Sequence, residues 1–410
     1  MARTAADIRK QNSFAIIRSI HAGGDVSRKE LADSTGLSFA TVGAICADLI
    51  DQGLVIEVSR NRAPVGRPTT RLALNDEHGF LLGVDIAETY VHVVSFDASL
   101  ATVSETHQPM DVHQRRPRQV VDMVRGAILA EAGKHEGSRL LGLGVSAPGI
   151  VDSAGGTSVF APNWAWKNVP LLDLLAESVH APIFLDNPLK ALTIAELWSN
   201  QDRLEQDFVI LNLGTGVGAG VALGGKVFRG RTNSAGEWGH TVIVADGRAC
   251  RCGSRGCVEA YVGAPGILQT LRESFPTSEL LRGDDQTATI AALATAAAAG
   301  DPVALDVLDR TSHFLGIGVA TIVNLFNPDA VILAGWVAGQ FGERLIDLLR
   351  PHLQDHALSV PMLASSLELQ PPRENRVSLG MAASALERYL DLIPEPVTGS
   401  GQENNTLKLG

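Results

Sequence analysis

Four side chains that favour zinc stand within one short stretch of this sequence. His240 is followed by Cys250, Cys252 and Cys257, and these are three of only four cysteines in the chain. Three thiolates and one imidazole make the closed set of a structural, tetrahedral zinc site, whereas a catalytic zinc keeps a position open for water. Gly253 and Gly256 lie inside this knot, where tight backbone turns are needed to bring the thiolates onto one ion. One structural zinc per chain is expected, and a reduced, buried cysteine cluster beside an unrelated histidine is the alternative. The stretch 236–259, GEWGHTVIVADGRACRCGSRGCVE, also carries the acids Glu237 and Glu259.

A second set of residues suits nucleic acid. Ser38 and Thr41 begin a segment with helical spacing, and Arg60, Arg62 and Arg67 crowd a Pro/Gly-rich stretch just after it. Arginines on such a tip reach phosphates or the negative potential of a narrow minor groove, unless they are only solvated loop charges. The segment that begins at Ser38 contains no Arg or Lys. Readout is therefore expected from hydroxyls, the arginine-bearing tip and DNA shape, rather than from paired arginine–guanine contacts.

The elements that must position these residues follow from apolar spacing. Helical periodicity covers residues 4–21, Ser27 and Glu30 form a capping box for a short helix over 28–34, and Ser38 caps a third helix to residue 52. Cys46, inside that third helix, reads as core. Alternation at 54–58 and 69–74 around the basic tip adds a hairpin, giving a winged helix-turn-helix over 1–75. Beyond it, strands are expected at 80–86, 90–96, near 101 and at 140–145, with an amphipathic helix at 117–131. A second strand and glycine loop begin at 208, with the loop at 214–220. An Ala-rich helix at 286–300, a long helix from Pro302 to about 324, a strand at 330–333 and a final helix at 378–390 complete the pattern. A repeated α/β unit with a cleft between the copies is the architecture this implies.

Composition narrows the class. The net charge of -11 is uneven, since residues 1–75 carry ten Lys/Arg against seven Asp/Glu. Nucleic-acid contact is thus expected at the N-terminal end alone. With one cysteine outside the knot, no disulfide framework is implied, which suits a reducing cytoplasm. The longest apolar run, 314–326, is too short and too glycine-interrupted to span a bilayer, so no membrane contact is expected.

Taken together, LNLGTGVGAG at 211–220, RGRTNSAGEWGH at 229–240, the cysteine knot ending at Glu259 and GRP at 66–68 resemble the ROK (repressor, open reading frame, kinase) family of transcriptional regulators over residues 8–390. The resemblance implies a duplicated actin-like, sugar-kinase fold behind the winged helix-turn-helix. It divides the chain into 1–75, a first lobe at 76–200 completed by a final helix at 378–393, a second lobe at 201–377 carrying the knot, and a disordered tail at 394–410. It further implies that Gly149, Asn163, Asn187, Glu237, His240 and Glu259 hold sugar hydroxyls. Carboxylates and amides at fixed angles suit a polyol and leave unpaired polar atoms with the wrong epimer.

Sugar kinases of this family carry an Asp directly after an Asn as general base. Here 185–191 reads LDNPLKA, so the base position is Pro188, which accepts no proton. Losing such a group costs roughly 10²–10⁴-fold in rate. The first phosphate loop also departs, with Ala87 and Glu88 where a glycine and a neutral residue belong, and Trp336 stands in the adenosine segment. The expectation is a catalytically inactive sensor: a cytoplasmic, sugar-responsive regulator that binds a palindromic operator as a homodimer or homotetramer. Lys190 stands where the family has Asn, and it either favours a phosphorylated or acidic sugar or points into solvent. An ATP-dependent sugar kinase with an attached DNA-binding domain, and a repressor released by a protein partner, remain alternatives at this point.

Overall fold

Capping decides where the N-terminal helices begin. The Ser27 hydroxyl accepts from the Glu30 amide at 3.2 Å while the Glu30 carboxylate accepts from the Ser27 amide at 2.7 Å. Both halves of the capping box thus start the helix Arg28–Thr35, and Gly36 ends it in the left-handed conformation. Ser38 caps Phe39–Asp51 with its hydroxyl alone, which accepts from the Thr41 amide. With Ala5–Gly23 these form a three-helix core around Ile16, Ile17, Leu31, Val42 and Leu49. The hairpin strands Val55–Val58 and Arg71–Leu74 are joined by a third strand, Asp25–Ser27, that periodicity did not reveal. Three residues are too few to show alternation.

The computed structural model describes residues 5–58, 70–111, 115–177, 179, 181–371 and 375–392. The tip at 59–69 and the tail expected at 394–410 lie outside them. Two compact units divide the chain, Met1–Gln201 with Asn375–Gly410, and Asp202–Glu374. The DNA-binding segment and the expected first lobe therefore fall in the same unit.

Each unit is built on a five-stranded sheet, and the two sheets share one strand order. In the first, Thr102–Pro109, Tyr90–Asp97 and Phe80–Ile86 run antiparallel, followed by Leu140–Ser146 and Ile183–Asp186 in parallel. In the second, Lys226–Val227, Val217–Leu223 and Phe208–Leu213 run antiparallel, followed by Ala330–Ala334 and Ser366–Leu369 in parallel. Strand order 3-2-1-4-5 twice over is the duplicated unit expected from the sequence. The central strands are buried along their whole length because both faces are covered. One expectation changes. The glycine loop at 214–220 is a turn of only Gly214–Gly216, since residues from Val217 onward pair with Phe208–Leu213. A further small sheet, Ile150–Asp152, Thr157–Ala161 and Trp166–Val169, follows the fourth strand of the first unit.

The helix Arg376–Leu392 returns to the first sheet and packs on Phe80–Ile86, Leu140–Ser146 and the helix Pro188–Ser199. This approach needs glycine. A methyl on Gly83 or Gly144 would overlap the carbonyl oxygens of Ser378 or Met381, and one on Gly380 would overlap that of Ala191. The same helix holds the DNA-binding segment: Lys10 pairs with Asp391 at 3.4 Å, and His78 Nε2 lies 3.0 Å from the Tyr389 hydroxyl. Beside it, His21 Nδ1 donates to the Ser99 carbonyl at 2.7 Å and its ring meets Trp198 edge-on.

Asp85 is a buried acid near the end of the strand Phe80–Ile86. Burial pushes its pKa up to about 6, against a hydrogen bond donated by the Tyr90 hydroxyl. Since the folded pKa lies above the unfolded one, ionised Asp85 weakens the fold above pH 6, and stability returns as pH falls toward 4. Asp85→Asn is expected to stabilise the protein by about 2 kcal/mol at pH 8 and by little at pH 4.5. Unfolding curves of both proteins at the two pH values check this, and a gain that does not change with pH contradicts it. Gly144→Ala is expected to cost about 1–3 kcal/mol in the same measurement, because the last helix must move off the sheet.

Candidate effector site and metal centre

In the second unit the knot closes. Ligand atoms of His240, Cys250, Cys252 and Cys257 all lie within 4.8 Å of one another. Cys250 Sγ stands 3.7 Å from His240 Nδ1, and Cys252 Sγ stands 3.8 Å from Cys257 Sγ. Gly253 and Gly256 both take positive φ, and a methyl on Gly256 would overlap the Val244 carbonyl oxygen. As bare thiols the cluster is poorly placed to ionise, because burial pushes Cys250 up to about 12 and also raises Cys257. A divalent cation suits this donor set, since it favours the thiolate forms. The second ring nitrogen of His240 faces Glu237, with Nε2 4.0 Å from Oε2. Cys46 is fully buried with a raised pKa, as a core residue should be.

The knot is tied to the glycine turn. Glu259, at its end, accepts from the Val217 amide at 3.0 Å through Oε2, and Arg251 approaches its Oε1 at 3.5 Å. Arg251 also donates to the Thr215 carbonyl at 2.7 Å, and the Ala264 amide donates to that of Gly214 at 2.9 Å. Two bonds thus reach the turn at 214–216 from the side of the knot, and a third holds Val217 just after it. On it lies Trp336, whose Nε1 is 3.2 Å from where a Cβ on Gly214 would stand. Glu259 is buried within this network.

The first unit holds the other expected ligand residues. Gly149, at φ 76, lies where a methyl would overlap the Phe160 carbonyl oxygen. Asn187 caps the helix Pro188–Ser199, its Oδ1 accepting from the Lys190 amide at 2.9 Å. Pro188 is the first residue of that helix, where a missing N–H costs nothing. Lys190 is only 1% exposed, which removes the reading in which it points into solvent. Asn163 donates through Nδ2 to Glu88 Oε1 at 2.9 Å, and its Oδ1 is buried with no partner among the described residues. A buried, unpaired amide oxygen can accept a hydrogen bond from a water or a hydroxyl.

Arg115 was not singled out from the sequence. It donates to the Asn163 carbonyl at 3.1 Å and the Glu88 carbonyl at 3.0 Å, pairs with the Glu88 carboxylate at 3.4 Å and lies over the Trp164 ring. The Glu88 charge is therefore offset by an arginine 27 positions away, which no local spacing signals. Its repulsion of a phosphate is correspondingly weaker than the sequence suggests. Ala87 remains in the place of the loop glycine.

On the DNA-binding segment, Ser38 is exposed but uses its hydroxyl as a cap for the Thr41 amide, and the two hydroxyls lie 2.8 Å apart. Phe39 beside them is 61% exposed, and Ala40, Ala44 and Ala47 share its exposure. This apolar face was not singled out from the sequence. Arg60, Arg62 and Arg67 lie outside the described residues. No single described helix is long and apolar enough to cross a membrane.

Comparison with known proteins agrees with this division. Residues 9–56 match a winged helix-turn-helix DNA-binding model. The xylose repressor of Caldicellulosiruptor bescii is 27% identical over 390 residues, covering 93% of this chain and 97% of the relative. A crystal structure of a ROK family transcriptional regulator, a homolog of the E. coli MLC protein, superposes with a TM-score of 0.76 at 24% identity, over 93% of this chain and 96% of the other. A ROK family glucokinase from Streptomyces griseus, in complex with glucose and AMPPNP, matches 74% of this chain and 98% of its own at 27% identity, with a TM-score of 0.62. The ROK family model itself matches residues 81–387, more than half of the sequence, and the chain belongs to the ROK family.

Proposed function

We propose that the protein is a sugar-responsive, DNA-binding transcriptional repressor whose kinase-like domain senses an effector without phosphorylating it. The observation that carries this reading is Pro188, which opens a helix directly after Asn187 in a chain that also begins with a winged helix-turn-helix. A sugar hydroxyl there meets no proton acceptor at the position a family kinase uses for its base, so the chain is a regulator and not an enzyme. The xylose repressor matched over nearly its whole length supports the same assignment. Trp336 against the glycine turn is a further obstacle to nucleotide binding.

The effector is a sugar or sugar phosphate held by Gly149, Asn163, Asn187, Glu237, His240 and Glu259. The unpaired Asn163 oxygen suits a hydroxyl donor, and a buried ammonium at Lys190 suits an acidic or phosphorylated sugar. One structural zinc on His240, Cys250, Cys252 and Cys257 orders the loop that presents Glu259. Its removal would free both Glu259 and the glycine turn fixed to it. Operator contacts come from Ser38, Thr41 and the wing arginines Arg60, Arg62 and Arg67, with Phe39 and its alanine neighbours offering apolar contact to thymine methyls. A cytoplasmic homodimer or dimer of dimers on a two-fold site fits a helix-turn-helix protein. The ligand acts by binding the DNA-competent and DNA-free states unequally.

Two measurements test this reading. Thermal unfolding against a panel of sugars and sugar phosphates is expected to reveal one ligand that stabilises the protein without ATP, by about 2.7 kcal/mol at a hundred times its dissociation constant. That ligand is also expected to change operator affinity, with Lys190→Met removing any preference for the phosphorylated form. A shift that requires ATP, with turnover, would return the protein to the kinases. Purified protein is expected to carry roughly one zinc per chain. Cys257→Ser is expected to lose the metal and the effector response together, by metal analysis and operator titration. Full response in a metal-free variant would refute the role given to zinc.

A further inference from the structure

We propose that Asp309, His313, His352 and His356 form a second divalent-metal site, separate from the cysteine knot, that bridges two packed helices of the second unit. Asp309 and His313 stand four residues apart on the helix Pro302–Phe326, and His352 and His356 stand four apart on Glu343–His356. Residues at this spacing share one helix face, so each helix offers a two-ligand chelate. The two faces meet. His352 Nε2 lies 3.0 Å from Asp309 Oδ1, and the His313 ring centroid is 5.3 Å from that of His352 and 5.6 Å from that of His356. The backbone sets this approach, because Gly316 leaves room for His352 that a methyl would take.

Asp309, His313 and His352 open on a cavity of about 350 Å³ that Arg248, Glu273 and Arg310 also line. Both arginines are already paired, Arg248 with Glu273 and Arg310 with Asp306, each at 2.6 Å. Asp309 and Glu273 are the carboxylates that line the cavity. Three imidazoles and one carboxylate, without thiolate, select zinc, nickel, copper or cobalt in preference to calcium or magnesium.

A site of this kind would join the long core helix to its surface partner. All four residues are partly or largely solvent-accessible, so a metal can enter and substitution leaves the core intact. The test uses full-length protein with the knot filled by zinc, loaded with Ni²⁺ or Co²⁺ and desalted into metal-free buffer. The wild type is expected to retain one additional metal per chain. A His352→Gln/His356→Gln double variant is expected to lose that metal while keeping its zinc, its circular dichroism and its operator binding. Bound Co²⁺ is expected to lack the thiolate charge-transfer band that cobalt in the knot would give. No additional metal in the wild type, equal retention in the double variant, or a thiolate band for the additional cobalt would each overturn the proposal.

Discussion

Glycines let one helix lie closer to the first sheet than any side chain permits, and the first unit depends on that contact. Gly83 and Gly144 on adjacent strands, and Gly380 on the helix Arg376–Leu392, remove the methyls that would strike backbone carbonyls. The close approach places Met381, Ala382, Ala385 and Leu386 in the core although they come from the far end of the described chain. Because the same helix reaches Lys10 through Asp391 and His78 through Tyr389, the DNA-binding segment is fastened to the element that closes the sheet. A change in the packing of that helix therefore has a direct route to the DNA-binding segment.

The second unit rests on a different restraint. Its glycine turn is short, and it is held from outside by Glu259, Arg251 and Ala264, all on or just after the cysteine knot. The cysteine knot and the shape of the turn are thus parts of one network. A loop that in a kinase would serve phosphate is here held against the cysteine knot, with an indole laid on it.

Loss of catalysis and retention of binding are compatible because they draw on different groups. Proline at position 188 removes a proton acceptor yet begins a helix well, so the fold keeps Asn187 in place while the reaction is lost. Glu88 shows the limit of judging such changes one at a time. As a charge beside a phosphate loop it looks disruptive, but Arg115 offsets it, and its carboxylate instead positions Asn163. The substitution thus acts on the amide expected to face the sugar.

Much of this protein was legible in the sequence because its signals are local. The capping box at Ser27, the strand FLLGVDI, the zinc-ligand spacing from His240 to Cys257 and the repeat of strand, hairpin and glycine turn each depend on residues near one another in the chain. Local physics, meaning hydrogen-bond capping, period-two burial and ligand chemistry, decides such features before the chain folds. Tertiary structure alone decided the rest. Strand Asp25–Ser27 exists because Arg71–Leu74 offers it an edge, the glycine loop shrinks to three residues because its remainder finds a partner strand, and the helix that carries Lys190 packs against one nearly two hundred positions away. Arg115 with Glu88, and His313 with His352 and His356, are likewise pairings across sequence distance. Periodicity reports which face a residue occupies; it carries no information on which distant face will meet it.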